Sequence, residues 1–263
     1  MQKITLPVLL EKRARGEKFA VLTAYDYTFA RLLEQAEIEV VLVGDSLGNV
    51  IQGRDSTLPV TVADMVYHTA AVKRGNSRAL LISDMPFMSY ASVDDALHNA
   101  AALMQAGAQM VKIEGGEWLA ETVYALTQRG IPVCGHIGLT PQTVHKLGGY
   151  KVQGRDSSGA AQLLKDASAL EQAGADMMLV ECIPSRLGGE LRAALQIPLI
   201  GIGAGPDTDA QVLVLHDMLG ISARLPSFSE DFLAAHGSIV AALQGYGQAV
   251  RSGQFPAAKH CFD

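Results

Sequence analysis

Short apolar runs recur along the chain, separated by turn residues and by longer stretches rich in Ala, Leu and Glu. The runs are Phe19–Tyr25, Glu39–Gly44, Ala79–Asp84, Met110–Glu114, Ile131–Gly135, Met177–Glu181, Pro198–Gly203 and Val212–His216. They are dense in Val, Ile and Leu rather than alternating with polar residues, as parallel strands covered on both faces are. Stretches such as Ser92–Ala106, Glu117–Arg129 and Ser158–Ala173 have helical composition. Eight strand-like runs, each followed by a helix-like segment, predict an α/β fold of the (β/α)8 TIM barrel type. An open doubly wound sheet is the alternative, and the regularity of the units weighs against it. The segment Ala106–Glu114 is echoed by Ala173–Glu181: a helix ends, Gly turns the chain, a strand follows and an acid closes it.

The pattern predicts one domain over 1–263. Residues 1–18 are expected to cap the bottom of the barrel, 230–252 to form a final helix and 253–263 to form a tail. The connections Leu47–Pro59 and Leu139–Asp156 are long enough to be binding loops or lids.

Composition narrows the function classes. The chain has 263 residues, 49% hydrophobic and 18% charged, which suits a large core and argues against disorder. The net charge of −6, with dispersed Lys and Arg, argues against a nucleic-acid partner. The cysteines, Cys134, Cys182 and Cys261, are odd in number and lack metal-ligand spacing, which fits a reducing compartment. The first apolar stretch, Ile4–Leu10, is short, contains Pro7 and runs into Glu11, Lys12 and Arg13, unlike a signal peptide. No apolar run approaches the roughly 18 residues of a membrane helix. A cytoplasmic location with no membrane partner is the expectation.

The chemistry is concentrated at strand ends. Asp26, Asp45, Asp84, Glu114 and Glu181 each lie at or near the C-terminal end of a predicted strand, where barrels build their active sites. Each could instead cap the following helix. Alternation along a strand places Lys112 on the same face as Glu114 and His136 on that of Cys134, and directs Cys182 away from Glu181 toward the helices. Clustered carboxylates repel one another unless a cation or proton intervenes, and a hard ion such as Mg2+ suits oxygen ligands. Asp45, Asp84 and Glu114 come from successive strands and are the candidate metal ligands. Glu181, from across the mouth, is the candidate base. His136 is open to three readings: a substrate contact, an orienter of Glu181 or a structural hydrogen bond.

Other features carry less. Gly201-Ile202-Gly203-Ala204-Gly205 resembles a dinucleotide loop, but Pro206 interrupts it. It reads equally as a tight turn or as a close approach to substrate. His68, His98, His145, His216, His236 and His260 are scattered. Lys146, Lys151 and Arg155 are either solvated or contacts for an anion. Tyr25, Met85 and Met88 read as packing.

Several strings together resemble the ketopantoate hydroxymethyltransferases. They include Thr23-Ala24-Tyr25-Asp26, Val43-Gly44-Asp45-Ser46-Leu47-Gly48, Asp84-Met85-Pro86-Phe87 and Val111-Lys112-Ile113-Glu114-Gly115-Gly116. Gly135-His136-Ile137-Gly138-Leu139-Thr140-Pro141-Gln142 and Gly148-Gly149-Tyr150-Lys151 continue the match, which runs in order from about residue 19 to 220. The resemblance implies a barrel of the phosphoenolpyruvate mutase/isocitrate lyase type. It implies transfer of a hydroxymethyl group from 5,10-methylenetetrahydrofolate to 3-methyl-2-oxobutanoate through a Mg2+-stabilised enolate, giving 2-dehydropantoate for pantothenate synthesis. By the family's motifs Asp45 and Asp84 would bind Mg2+, with Glu114 close by or acting through water. Asp45, Ser46, Asp84, Lys112 and His136 would contact the 2-oxo acid, and Glu181 would accept its proton. The resemblance also implies a homo-oligomer, commonly a decamer.

Two departures stand near the end. The family's Pro-Lys-Phe is here Pro226-Ser227-Phe228-Ser229-Glu230, and the chain finishes Lys259-His260-Cys261-Phe262-Asp263. They leave the strand-end residues intact and bear on folate-tail binding or assembly. The competing readings are another Mg2+-dependent 2-oxo acid lyase or aldolase of the same barrel type, and a non-catalytic metabolite-binding barrel. Against the first, Thr140-Pro141-Gln142 stands where the lyase branch carries a Lys-Lys-Cys-Gly-His-type loop.

Overall fold

The computed structural model describes residues 3–263; the first two residues of the expected 1–18 cap lie outside the described part. Eight parallel strands close on themselves in sequence order. They are β1 (Phe19–Thr23), β2 (Val40–Val43), β3 (Leu80–Asp84), β4 (Met110–Glu114), β5 (Val133–Gly138), β6 (Met177–Glu181), β7 (Leu199–Ile202) and β8 (Ala210–Leu213). The ring is completed by β1 and β8, with Val21 opposite Val212.

Pleating sorts the strands into two apolar layers. Val21, Val40, Leu42, Leu80, Ile82, Met110, Cys134, Met177 and Leu179 fill the barrel interior. Their neighbours, such as Leu22, Val41, Leu81, Val111 and Val180, pack against the helices. Each fully buried aliphatic side chain of this kind contributes roughly 1.5–3 kcal/mol. The inward series ends in polar groups at one rim only. Met110 is followed inward by Lys112 and Glu114, Ile82 by Asp84, Cys134 by His136 and Leu179 by Glu181. The other rim is closed by the helix Leu6–Ala14, from which Leu9 enters the inner layer beside Ile4.

The helices start where the sequence supplies caps. Ser92 accepts from the Asp95 amide, Asp156 from Gly159 and Thr61 from Asp64, the last as a reciprocal capping box. Asp26 belongs to this class: its carboxylate accepts from the Phe29 amide at 2.9 Å.

Three features differ from the sequence reading. No helix follows β7; residues 203–209 form a short turn through Gly203 and Gly205, both at positive φ. The expected final helix over 230–252 is two helices, Phe232–His236 and Ile239–Arg251, broken at Gly237 in the left-handed region. Finally, β5 and β8 are displaced by about two residues from the apolar runs that predicted them, so His136 lies within a strand rather than beyond it.

Candidate active site

The polar rim is the floor of a cavity of about 1090 Å³. Asp45, Ser46, Asp84, Lys112, Glu114, His136 and Glu181 all line it. Strand register explains the grouping, since Asp84 is level with Lys112, Glu114 with His136 and Gly138 with Glu181. The β5–β6 approach is close: a Cβ on Gly138 would stand 2.4 Å from the Glu181 carbonyl oxygen, and Gly138 sits at φ +87°.

Asp45 and Asp84 are joined directly, the Asp45 backbone N–H donating to Asp84 Oδ2 at 3.0 Å. Lys112 Nζ lies 3.3 Å from Asp84 Oδ1 and 3.4 Å from Glu114 Oε1, and 3.0 Å from His136 Nδ1. His136 bridges the two sides of the mouth, with Nδ1 3.3 Å from Glu114 Oε1 and Nε2 3.3 Å from Glu181 Oε2. Burial and Lys112 act to lower His136, but Glu114 and Glu181 outweigh them and raise it, which favours a proton on Nε2, facing Glu181. Ser46 Oγ is paired with the Tyr25 hydroxyl at 2.9 Å, so Tyr25 is a polar partner as well as packing.

Burial and mutual repulsion set the charges. Asp45 is held well above the usual carboxylate range by burial and then by Glu114 and Asp84. Asp84 is also raised, burial outweighing the attraction of Lys112. Burial alone would raise Glu114 too, but Lys112 and His136 overcome it and bring it down to about 2. Lys112 is held protonated because Asp84, Glu114 and Asp45 outweigh its desolvation.

Glu114 therefore differs from the two aspartates. Besides Lys112 and His136, its Oε2 accepts from the Gln142 backbone N–H at 3.0 Å. Among the described residues no three His, Cys, Asp or Glu side chains converge in a metal-holding arrangement. What the fold brings together is the pair Asp45 and Asp84, with Glu114 engaged beside it. Asp84 Oδ1 is buried without a hydrogen-bond donor among the described residues, despite the nearby Lys112. An unsatisfied, desolvated carboxylate oxygen next to a second carboxylate suits a hard divalent cation.

Gln142 is the residue the strand-end logic missed. Its Nε2 donates to Asp45 Oδ2 at 2.8 Å and to the Met85 carbonyl at 3.0 Å, and its Oε1 accepts from the Tyr90 hydroxyl. It ties the loop after β5 to those after β2 and β3. The available signal was its place in the Thr140-Pro141-Gln142 string. Cys182 was expected to face the helices, yet it lines the cavity. Its φ of 48° interrupts strand alternation straight after Glu181. Asp26, by contrast, is a cap and takes no part in the lining. From the long fifth loop Tyr150 and Val152 reach the cavity, whereas Lys146, Lys151 and Arg155 do not.

Comparison with known proteins shows the family. Residues 3–258 match the family described as Ketopantoate hydroxymethyltransferase. A 3-methyl-2-oxobutanoate hydroxymethyltransferase of Stutzerimonas stutzeri is 57% identical, covering 100% of this chain and 99% of its own. A relative named 3-methyl-2-oxobutanoate hydroxymethyltransferase 2, from Pseudomonas fluorescens, is 59% identical over the same shares. Among solved structures, phosphonopyruvate hydrolase in complex with oxalate and Mg++ aligns over 99% of this chain and 93% of its own, with a TM-score of 0.63 and 15% identity. The 2,3-dimethylmalate lyase, a PEP mutase/isocitrate lyase superfamily member, aligns over 81% of each chain with a TM-score of 0.59 and 18% identity. These two show the fold alone, a closed (β/α)8 barrel. The match along nearly the whole sequence, with relatives this similar over their full length, shows that the chain belongs to the ketopantoate hydroxymethyltransferase family of enzymes.

Proposed function

We propose that the cavity floor binds 3-methyl-2-oxobutanoate beside a divalent cation, removes its C3 proton and directs the resulting carbon nucleophile to the one-carbon unit of 5,10-methylenetetrahydrofolate. The observation that carries this reading is the division of the floor. Two raised carboxylates, Asp45 and Asp84, stand on one side and Glu181 on the other, with His136 between them.

Asp45 and Asp84 would hold the cation, with Glu114 supporting it through water. A Mg2+ ion there supplies Lewis-acid stabilisation for negative charge developing on the oxygens of the 2-oxo acid. Lys112 adds a fixed positive charge to the same region, kept protonated by its three acidic neighbours. Ser46, already oriented by Tyr25, offers a hydroxyl to the substrate. Glu181 accepts the C3 proton. His136, with Nε2 3.3 Å from Glu181 Oε2, is placed to hold the Glu181 carboxylate toward that proton once the two close into a hydrogen bond. Water would supply the hydroxymethyl oxygen as the bond between the methylene carbon and the folate nitrogen breaks and tetrahydrofolate leaves, and that oxygen would then find Lys112 and His136 as donors.

Hydrogen–deuterium exchange at C3 of 3-methyl-2-oxobutanoate, with Mg2+ and no folate, tests the first half of this chemistry. The unaltered enzyme should exchange, and Glu181→Gln should bind the acid yet exchange roughly 10²–10⁴-fold more slowly. Normal exchange by Glu181→Gln removes Glu181 as the base. No exchange by the unaltered enzyme removes the enolising function.

A further inference from the structure

The cavity is much larger than its charged floor needs. At about 1090 Å³ it passes the roughly 300–1,000 Å³ typical of sites for drug-sized ligands, whereas the floor groups suffice for a small branched 2-oxo acid. Beside that floor the lining includes the apolar side chains Leu225, Phe228 and Phe262. Phe262 comes from the segment after the last long helix, and its position is built rather than incidental.

The Phe262 carbonyl oxygen accepts from the Ser185 backbone N–H at 2.9 Å and from Ser185 Oγ at 3.2 Å. Arg155 Nε donates to the Asp263 carbonyl at 3.1 Å. Upstream, Glu230 receives Lys259 at 3.1 Å and stands 3.4 Å from His260, so the two regions that depart from the family pattern are bonded to each other. The Phe228 and Phe262 rings meet edge to face, 6.5 Å apart at 73°. Both press on Gly203, where a Cβ would lie 3.0 Å from the Phe262 ring and 3.1 Å from that of Phe228. Gly203 thus leaves room for the ring pair at the end of β7.

Two half-buried aromatic rings in a cavity wall favour a planar π-system, which gains stacking and edge contacts with them beyond the apolar area it buries. We propose that Phe262, with Phe228, seats the planar heteroaromatic ring of the one-carbon donor, which makes the segment Lys259–Asp263 a donor-binding element. This assignment rests on the functional reading above, with the donor approaching from the cavity mouth and the 2-oxo acid lying on the floor.

The test is calorimetric binding of tetrahydrofolate to the full chain, together with C3 exchange in the absence of folate. Phe262→Ala should bind tetrahydrofolate about tenfold more weakly and Phe262→Trp should restore binding, while exchange stays within about twofold for both. In steady state the KM for the donor should rise in Phe262→Ala and that for the oxo acid should not. Unchanged tetrahydrofolate affinity in Phe262→Ala overturns the seat, as does failure of the unaltered enzyme to bind tetrahydrofolate. Parallel loss of exchange also overturns it, since that marks general packing. If the unaltered enzyme binds tetrahydrofolate through Phe262 but does not exchange, the seat stands and the enolising reading falls.

Discussion

The two ends of the barrel each bury an ionic cluster, and they are built on opposite principles. At the closed end Asp209 is matched on every side. Its Oδ2 accepts from Arg13 and from the Leu199 amide at 3.0 Å, and its Oδ1 from Arg192 at 2.9 Å. Arg13 Nη2 donates to the Arg192 and Leu195 carbonyls. This cluster ties the N-terminal helix, the helix Ser185–Ala194 and the start of β8 together. At the open end Asp45, Asp84 and Glu114 face Lys112 and His136, and Asp84 Oδ1 and His136 Nε2 have no hydrogen-bond partner among the described residues. Buried charge that is fully paired holds structure. Buried polar atoms left without a hydrogen-bond partner cost stability and are retained where a ligand completes them.

That contrast can be broken in several ways. The largest effect is expected at the closed end. Asp209→Ala strands two guanidiniums and should cost about 3 kcal/mol, the lower end for a broken buried pair because Arg192 is partly exposed. Denaturant unfolding reads the loss, with C3 exchange per folded molecule unchanged. A cost below about 1 kcal/mol would remove the structural role given to this cluster. At the open end the sign reverses. Asp45→Asn removes one of three mutually repelling carboxylates while leaving an acceptor for Gln142, so the metal-free protein should gain about 1 kcal/mol. The same variant should lose the thermal stabilisation that Mg2+ gives the unaltered protein. A destabilisation as large as that of Asp209→Ala would erase the distinction between the two ends.

The smallest effect sharpens the comparison rather than breaking it. Asp45 and Asp84 hold protons more tightly than ordinary carboxylates, and a cation must displace them. Mg2+ affinity should therefore fall as the pH drops below neutrality, by up to about tenfold per pH unit for each proton displaced. Calorimetry across mildly acidic pH measures this. An affinity indifferent to pH would mean that the cation does not bind these two groups.

The parts readable in advance share one property: they follow from local rules. A period of two along apolar strands places Lys112 beside Glu114 and His136 above Cys134 whatever the rest of the chain does. Eight such strands with helical links bring their acid-bearing ends to one rim. Asp26 shows the limit of that logic. It has the same residue type at the same kind of position as Asp45, but the geometry of the next turn makes it a helix cap.

What the sequence by itself determined is the closed parallel barrel, the inward-facing polar set and the family. Only the tertiary structure decided which partners those polar groups take. Gln142 reaches Asp45 across 97 positions of sequence and draws Glu114 to its own backbone amide. Ser185 captures Phe262 across 77 positions and brings the end of the chain to the cavity wall. Cys182 leaves strand alternation because its backbone turns left-handed where the strand ends. Alternation and capping are encoded within a few residues. A hydrogen bond between two loops exists only once the closed barrel has set the distance between them, and that distance is a property of the whole ring.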